Sequence, residues 1–402
     1  MTVAQLTGQR LGIDILNGNP SVEVPFVMKN GFITVDLKFD DKLSLTFIFD
    51  TGADNTILFH KPYADLLGVQ YSKKIEIKGS DLRESQYALI ARNISLRLKN
   101  QIPVSRDVLI LEEALQLFQE SLGFDIDGIL GGSFFRGLVV QLDYAKKKIK
   151  LYHPTKFKLK KKGYTGFDIE IHGNKPYLYT NTMINPRDTL RTKLLLDTGA
   201  AIPYLLHANT DSSIVLPDFV INGTIGHGLS GSLVGFMGKI HGLSFGEYSF
   251  NNILTLFQDL SDIETKKVEL IRNGIMGNEL LSRFSVYIDY LNKRLYVKPR
   301  KKYNKSFKYD KSGLVIFAFG QDLNQFYVKD VFPNTPAADA GILPGDIIKK
   351  VGIWKSRHLT LDKIVTMLQR KDGKKIKLKI ERNGVEIKKQ FLLRDLFQES
   401  SK

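Results

Sequence analysis

The sequence predicts a mainly β chain, built from a duplicated β domain and a smaller C-terminal domain of strands and one helix. Apolar and polar residues alternate with a period of two through about the first 300 residues, with turn signals at short intervals. Short motifs recur with an offset of 146 or 147 residues. From Ser312 onward the pattern changes to strands around one amphipathic segment.

The composition excludes several classes of function. The chain has 402 residues, 43% of them hydrophobic, which suffices for two or three domains with sizeable cores. Because it contains no cysteine, disulfides, thiolate metal sites, iron–sulfur clusters and cysteine nucleophiles are excluded. Neither H-E-x-x-H nor G-x-S-x-G occurs, so we expect no metal site, no cofactor and no serine hydrolase site.

The net charge of +16 raises the question of an anionic partner. The excess is spread along the chain, and neither a basic recognition helix nor interleaved aromatic residues accompany it. We therefore predict a solvated basic surface and no nucleic-acid partner.

The sequence has no apolar run that approaches the roughly 18 residues of a membrane span. Met1–Gly8 also lacks the layout of a signal peptide. We predict a soluble chain without an integral membrane segment, in which residues 1–21 form an N-terminal leader segment. The small residues of Thr2–Gln5 would suit the end of a cleavage site, so a leader upstream of Met1 is the alternative. It would place the protein in the cell envelope or outside the cell, and the compartment stays open.

The secondary structure of the duplicated part follows from its alternation. The predicted strands are Val22–Phe26, Phe32–Phe39 and Leu43–Phe49 in the first copy, and Phe167–Ile171, Tyr177–Ile184 and Thr189–Leu196 in the second. The clearest helix is Leu111–Leu122, which Gly123 ends.

Three motifs keep one spacing and define the duplication. They are Phe47–Ala53 with Leu194–Ala200, Gly128–Gly131 with Gly274–Gly277, and Val140–Tyr144 with Val286–Tyr290. The predicted domains are 22–155, 163–299 and 306–398. The basic stretches Pro154–Lys162 and Arg300–Lys308 separate them, and we interpret both as solvated linkers rather than as binding sites for an anion.

Each copy of the first motif places an aspartate at the end of an apolar strand, followed by Thr-Gly. A glycine there permits a tight turn, and the threonine hydroxyl can bond to a neighbouring backbone. If the two copies pack against each other, Asp50 and Asp197 meet. Two adjacent carboxylates cannot both ionise, so one proton is shared and their pKa values separate. Such a pair can activate a water and protonate a carbonyl oxygen, which is sufficient to hydrolyse a peptide bond.

Phe49–Leu58 resembles the active-site strand and turn of retropepsin-type aspartic proteases, and Ile129–Gly131 and Ile275–Asn278 resemble the apolar element under each active-site loop of that family. The resemblance covers about residues 22–299. It implies two acid-protease β-barrel lobes related by a pseudo-twofold axis within one chain, so that no oligomer is required for activity. It also implies an aspartic-type endopeptidase that acts on a polypeptide in extended conformation. The residues that it assigns are Asp50 and Asp197 for catalysis, Thr51 and Thr198 for locking the two active-site loops together, and Gly52, Ala53, Gly199 and Ala200 for supporting those loops.

The second copy departs from the family pattern after Gly199, where Ala200–Tyr204 replaces the Asp-Asn-Thr continuation. Candidate flaps over the cleft are Ile75–Ile90, with a hairpin tip at 78–81, and the glycine-rich Val220–Ile240. Gly226–Gly231 matches G-x-G-x-x-G, but no helical pattern follows it, so we favour a flap over a dinucleotide site.

Residues 306–398 resemble a PDZ domain, most specifically in Ala340–Asp346. The resemblance implies capture of a peptide C-terminus, which is added as a strand beside a helix that Thr360 caps. The residues implied in the groove are Gly313 and Leu314 of the carboxylate loop, and Leu361 and Val365 of the helix. Val315 stands where a second glycine is usual, and the alternative is that these apolar residues only form the core of the domain.

Two functions therefore remain, an aspartic endopeptidase with a peptide-binding PDZ domain, and a non-catalytic scaffold that binds an extended peptide. Because both Asp-Thr-Gly motifs are intact, we favour the enzyme.

Overall fold

The computed structural model describes residues 11–79, 85–99, 101–113, 115–159, 162–229, 231–260, 271–301 and 303–398. The chain is mainly β, as predicted. No helix among these residues is long and apolar enough to span a membrane.

The first part of the chain forms eleven strands and two helices. The strands are β1 (Ser21–Pro25), β2 (Val27–Lys29), β3 (Phe32–Phe39), β4 (Leu43–Phe49), β5 (Ile57–Leu58), β6 (Tyr71–Lys78), β7 (Ser85–Leu98), β8 (Val104–Leu111), β9 (Gly128–Leu130), β10 (Val139–Asp143) and β11 (Lys148–Tyr152), and the helices are α1 (Lys61–Leu66) and α2 (Gln116–Leu122). Eight of these strands form one sheet, in the order β2-β3-β4-β9-β5-β8-β7-β6. We call this sheet and its helices the first lobe.

The second part repeats this arrangement. Its strands are β12 (Thr165–Asp168), β13 (Glu170–His172), β14 (Lys175–Met183), β15 (Thr189–Asp197), β16 (Tyr204–His207), β17 (Val220–Gly228), β18 (Gly231–Phe245), β19 (Tyr248–Gln258), β20 (Gly274–Gly277), β21 (Phe284–Asp289) and β22 (Arg294–Pro299), with helix α3 (Asn278–Leu281). The sheet order β13-β14-β15-β20-β16-β19-β18-β17 reproduces that of the first lobe, strand for strand. We call this part the second lobe.

A six-stranded sheet, β1-β11-β10-β21-β22-β12, joins the lobes. Its central pair is β10 with β21, in which Gln141 lies opposite Tyr287. These two residues occupy equivalent positions of the duplicated sequence, so the two copies of the repeat pair with each other through equivalent strands. The core is continuous across the joint, with Phe135 of the first lobe and Phe284 of the second both fully buried.

The described part of the predicted leader segment belongs to the first lobe. Gly12–Leu16 forms a short 3-10 helix in which Ile15 and Leu16 are buried in the core. Arg106 also pairs with Asp14 at 2.6 Å. In contrast to the predicted leader segment at residues 1–21, Ile15 and Leu16 therefore help to complete the core of the first lobe.

The helix predicted at Leu111–Leu122 is shorter in the structure, where it spans Gln116–Leu122. Leu111 instead ends β8 and lies opposite Ala88 in the sheet. Long-range strand pairing has overridden a local helical pattern at this point.

The C-terminal domain has a sheet with the order β23-β24-β25-β27-β28, and a short β26 that pairs with β25. Its elements are β23 (Leu314–Phe319), β24 (Gln325–Val331), α4 (Pro336–Asp339), β25 (Ile347–Val351), β26 (Trp354–Lys355), α5 (Leu361–Leu368), β27 (Lys375–Arg382) and β28 (Val385–Leu392). The predicted cap is present, since the Thr360 hydroxyl accepts a hydrogen bond from the Lys363 amide. The predicted hairpin turn is present as well, with positive φ at Asn383 and Gly384.

The basic stretch before this domain packs on the second lobe. Phe307 is buried in the main core, and the Arg283 guanidinium lies 4.2 Å from the centre of its ring. The same guanidinium donates to the carbonyl oxygens of Tyr303 and Lys305. Residues 303–307 therefore stabilise the second lobe, although the predicted boundary at 306 divides them.

We predict that a chain ending at Lys308 retains a cooperatively folded pair of lobes, because it keeps this contact. A chain ending at Tyr303 loses Phe307 from the core, which should lower the free energy of unfolding by about 3–5 kcal/mol. Urea denaturation of the two truncated chains measures the difference. Equal stability of the two chains, or loss of cooperative unfolding in the longer one, would contradict the prediction.

Candidate active site

The structure brings together the two aspartates predicted from the repeated motif. Asp50 directly follows β4, and Asp197 is the last residue of β15. Each of these strands runs parallel to the short glycine-rich strand of its lobe, β9 or β20. Both carboxyl groups are buried, with 9% of Asp50 and 7% of Asp197 exposed. The two side chains are joined by a hydrogen bond.

Four hydrogen bonds made by Thr51 and Thr198 connect the two loops, and two of them join these threonines to each other. The Thr51 hydroxyl donates to the Leu196 carbonyl oxygen at 2.7 Å and accepts from the Thr198 amide at 3.1 Å. The Thr198 hydroxyl donates to the Phe49 carbonyl oxygen at 2.7 Å and accepts from the Thr51 amide at 3.0 Å. Both threonines are fully buried, so these bonds fix the position of one lobe's loop against the other.

The glycines of the two motifs allow the carboxyl groups to approach. A Cβ at Gly52 would overlap the Asp197 carboxyl, and a Cβ at Gly199 would overlap that of Asp50. The glycine amides also orient the aspartates, because Gly52 donates to Asp50 at 2.6 Å and Gly199 donates to Asp197 at 2.8 Å. The Ala53 amide gives Asp50 a second donor at 3.1 Å.

The surroundings of the pair raise the pKa of both carboxyls. Burial is the largest cause for each of them. The pKa of Asp50 lies well above its usual range, because the negative charge of Asp197 and their shared hydrogen bond add to burial. For Asp197 the bond from Asp50 and the positive charges of Arg272 and Lys175 partly offset burial. Raised pKa values in two adjacent carboxyls favour a state in which the pair shares one proton.

Polar contacts that sequence reasoning missed hold each lobe against the hairpin turn of the other. The Asp54 carboxylate accepts from the Asn174 amide at 2.8 Å and pairs with Lys175 at 3.1 Å. In the opposite direction, Asn278 donates to the Gly31 carbonyl oxygen at 2.6 Å and accepts from the Tyr144 hydroxyl. The sequence signal for these contacts was the segment that follows each Asp-Thr-Gly motif, because that segment differs between the two copies.

The departure noted after Gly199 is explained by this asymmetry. Ala201 stands at the position equivalent to Asp54 and packs against Gly31. A Cβ added at Gly31 would lie 2.9 Å from the Ala201 Cβ. A carboxylate side chain at position 201 would not fit in this close contact with Gly31. The second lobe instead supplies its polar contact through Asn278, whose equivalent in the first lobe is Gly132.

Both predicted flaps are β-hairpins. In the first lobe, β6 and β7 pair from Lys78 opposite Ser85 onward, and the predicted tip residues Ser80 and Asp81 lie outside the described residues. In the second lobe, β17 pairs with β18 from Val220 opposite Gly238 to Gly228 opposite Gly231, so the described residues of Gly226–Gly231 belong to this hairpin. The Gln86 side chain of the first hairpin donates to the Leu229 carbonyl oxygen of the second at 2.6 Å. The two hairpins therefore touch.

The C-terminal domain holds the second hairpin on its other side. His227 packs edge-to-face on Phe317 of β23, with ring centroids 4.6 Å apart. Closer to the base of the hairpin, a Cβ at Gly223 would lie 2.6 Å from the Phe332 ring. Phe332 shares an apolar cluster with Ile221 and Leu254 of the second lobe. The domain and the hairpin thus form one packed interface.

The predicted peptide groove of this domain is in contact with its own chain. Gly313 has a φ of 83° and lies against Thr335, and Leu314 is buried. The Asp310 carboxylate accepts from the amides of Ser312 and Gly313, each at 2.8 Å. Burial raises the pKa of Asp310 to about 6. The carboxylate loop therefore already contains a carboxylate.

Helix α2 of the first lobe covers the other side of that groove. It packs against β23, and a Cβ at Gly123, which ends α2, would lie 2.6 Å from the Leu361 Cβ. The Tyr327 hydroxyl donates to Glu120 of α2 at 3.0 Å. Leu361 is buried and Val365 is partly buried against the domain core.

The sequence profile of the PDZ domain family matches residues 327–382. The chain contains a PDZ domain. A search of curated proteins finds no match. One of the solved structures that resemble the chain is the aspartic proteinase from Irpex lacteus, at 12% identity and a TM-score of 0.43, over 71% of this chain and all of that one. At that level of similarity the likeness carries no functional argument.

No group of three or more His, Asp or Glu side chains that could hold a metal ion occurs in the parts of the chain that the structure describes. The candidate site thus consists of the carboxyl pair, the loops that orient it and the two hairpins.

The raised pKa values predict the pH dependence of any hydrolysis by this pair. A carboxylate base is lost when the pH falls through its raised pKa, and a carboxylic acid is lost when the pH rises through its own. We expect kcat/KM to peak at a higher pH than a pair of carboxyls with ordinary pKa values would give. Ala53 and Ala200 offer no hydroxyl to the carboxylates, so Ala53→Ser with Ala200→Ser should move the acidic limb down by about 1 unit. An optimum below about pH 3.5, or an unmoved limb, would contradict this account.

Proposed function

We propose that the protein is an aspartic-type endopeptidase. The observation that carries the proposal is a buried pair of carboxyl groups, one from each lobe, whose pKa values are both raised. We infer that the pair shares one proton. Asp197 removes a proton from a water molecule while Asp50 donates its proton to the carbonyl oxygen of the scissile bond. The resulting tetrahedral diol collapses when Asp197 gives its proton to the leaving amine and a hydroxyl of the diol returns a proton to Asp50, which restores the starting state of the pair.

The same proposal assigns the lobes to the retropepsin-like architecture, with a pseudo-twofold axis between them. The identical strand orders of the two sheets support it, as does the pairing of equivalent residues, Gln141 with Tyr287 and Thr51 with Thr198. A single chain supplies both aspartates, so activity requires no oligomer.

The substrate that fits is a polypeptide in extended conformation with apolar side chains beside the scissile bond. Partly buried apolar side chains lie on the hairpins and beside the carboxyl pair in both lobes. On the side of the first lobe Phe32, Ala53 and Ile75 are partly buried against one apolar cluster. On the side of the second lobe Ala200 and Ile225 occupy the corresponding cluster.

Digestion of a peptide library tests the proposal. We expect wild-type protein to cleave, and Asp50→Asn and Asp197→Asn to retain less than about 1% of the wild-type kcat/KM, because each removes the base or the acid. Asp188→Asn is the matched control, since Asp188 lies in an exposed loop. Cleavage sites are read by mass spectrometry, and circular dichroism checks the fold.

The rival function is a non-catalytic scaffold that binds an extended peptide. Binding of library peptides without any cleavage by folded wild-type protein would favour it. Full activity in either asparagine variant would contradict the proposed pair.

We also propose that the PDZ domain binds peptide C-termini at the edge of β23 beside α5, in competition with its own chain. The contacts of α2 with β23 and Leu361 support the competition, and so does the Asp310 carboxylate at the loop amides. A bound peptide must displace both of them. Because β23 also carries Phe317, which contacts the second hairpin, peptide binding and hairpin position are coupled.

In Gly123→Ala the new Cβ would clash with Leu361 and weaken the contact between α2 and the groove. If this contact loses about 1.4 kcal/mol, peptides with an apolar C-terminus should bind about tenfold more tightly. Gly68→Ala is the matched control, because Gly68 ends α1 at the same φ of 70° with no atom near its Cβ position. Fluorescence anisotropy of labelled peptides measures the affinity in the full chain.

Leu361→Lys should weaken the same peptides in the Gly123→Ala background. Equal affinity for C-terminally amidated peptides would contradict carboxylate capture. Equal affinities of the two glycine variants would contradict the competition with α2.

A further inference from the structure

The turn between β25 and β26 exposes two large apolar side chains at one end of the PDZ sheet. Ile353 is 85% exposed and Trp354 is 55% exposed. Trp354 is the only tryptophan in the chain. Neither residue belongs to the apolar core of the PDZ domain.

Lysines surround this turn because of the strand register. Lys350 lies opposite both Lys355 and Lys379, and the Lys377 carbonyl oxygen accepts from the Gly352 amide at 2.8 Å. Lys379 in turn lies opposite Lys388 on the next strand. Four neighbouring strands therefore place lysine at one level of the sheet.

Five surface lysines near this turn form no ion pair with another described residue of this domain. We use the name basic tip for Ile353 and Trp354 together with Lys350, Lys355, Lys374, Lys375 and Lys377. Within residues 303–398, which the structure describes without a gap, the five lysines form no ion pair. Lys349 and Lys379, by contrast, pair with Glu381 and Glu386. The basic tip is thus a local excess of positive charge around exposed apolar groups.

This arrangement is unfavourable in water alone. Like charges directly opposite each other on neighbouring strands repel, and exposed isoleucine and tryptophan side chains forgo the gain of burial. A partner that is both anionic and apolar removes both costs. Tryptophan in particular prefers the boundary between lipid headgroups and acyl chains.

We propose that the basic tip docks on an anionic lipid surface, with Ile353 and Trp354 in the headgroup region and the five lysines at the lipid phosphates. A soluble polyanion would satisfy the lysines but would leave Ile353 in water, which is why the structure favours a bilayer. The strands rise about 3.3 Å per residue, so Lys350, Lys355 and Lys377 lie within about 7 Å of the turn along the sheet and can reach the same plane.

Docking in this way leaves the contacts with the two lobes intact. The PDZ domain meets the second lobe through Phe317 and Phe332, on β23 and after β24. The basic tip lies on β25, β26 and the start of β27. The surface therefore serves as a place of attachment for the whole chain, independent of the proposed hydrolysis.

The single tryptophan makes the test site-specific in the full chain. We expect Trp354 emission to shift to shorter wavelength with phosphatidylcholine vesicles that contain phosphatidylglycerol, and not with pure phosphatidylcholine vesicles. Co-sedimentation should follow the same selectivity and weaken with salt. Each lysine near the surface contributes about fivefold to partitioning. The variant Lys374→Glu/Lys375→Glu/Lys377→Glu should therefore lose at least about a hundredfold.

Matched variants separate the basic tip from general charge. Lys73→Glu/Lys146→Glu/Lys156→Glu removes the same charge from exposed positions on the lobes and should bind at least tenfold better than the tip variant. Ile353→Ser should reduce both the partitioning of the protein onto vesicles and the shift of Trp354 emission. Leu66→Ser, which removes another exposed aliphatic side chain far from the basic tip in sequence, should reduce neither. Thermal unfolding confirms that each variant is folded.

Three results would overturn the proposal. The first is an unshifted Trp354 emission with phosphatidylglycerol vesicles, and the second is equal loss of binding in the two lysine variants. The third is binding to soluble heparin or polyphosphate without binding to the vesicles, which would assign the lysines to a polyanion.

Discussion

The candidate active site depends on the hydrogen bonds that Thr51 and Thr198 exchange across the boundary between the lobes. Each hydroxyl accepts from the opposite loop's amide and donates to a carbonyl oxygen of the opposite strand. This arrangement satisfies buried backbone groups of both loops and leaves little freedom in their relative position. The two carboxyls are consequently held together in a buried setting, where the pKa of each is raised. The proposed chemistry is thus a consequence of how the two lobes meet.

The two halves of this site are alike in topology but differ in their polar contacts. Asp54 holds the hairpin turn of the second lobe, whereas Asn278 holds that of the first. The positive charges of Lys175 and Arg272 act on Asp197 and distinguish the two carboxyls. A single chain can carry such an asymmetry, because each copy mutates independently of the other. The PDZ domain adds a further difference, since it contacts the hairpin of the second lobe through Phe317 and Phe332.

Much of the fold could be predicted because it is encoded locally. The predicted strands Phe32–Phe39 and Leu43–Phe49 coincide with β3 and β4, and the PDZ prediction is confirmed by the family match. The carboxyl pair was predictable from the repeated motif. Contacts between distant segments could not be predicted, because no sequence periodicity indicates them; the contact of α2 with Leu361 is an example. The same limit explains why the core role of Ile15 was missed.

The most direct test of the central claim is a double-mutant cycle on Thr51→Ala and Thr198→Ala. It is measured as kcat/KM on a peptide that wild-type protein cleaves, with Thr192→Ala as a control for loss of a buried hydroxyl within one lobe. If the two threonines act as one unit that positions the carboxyl pair, either single variant loses most of the activity and the double variant loses little more. Wild-type activity in either single variant, or two losses that simply add in the double variant, would contradict the account.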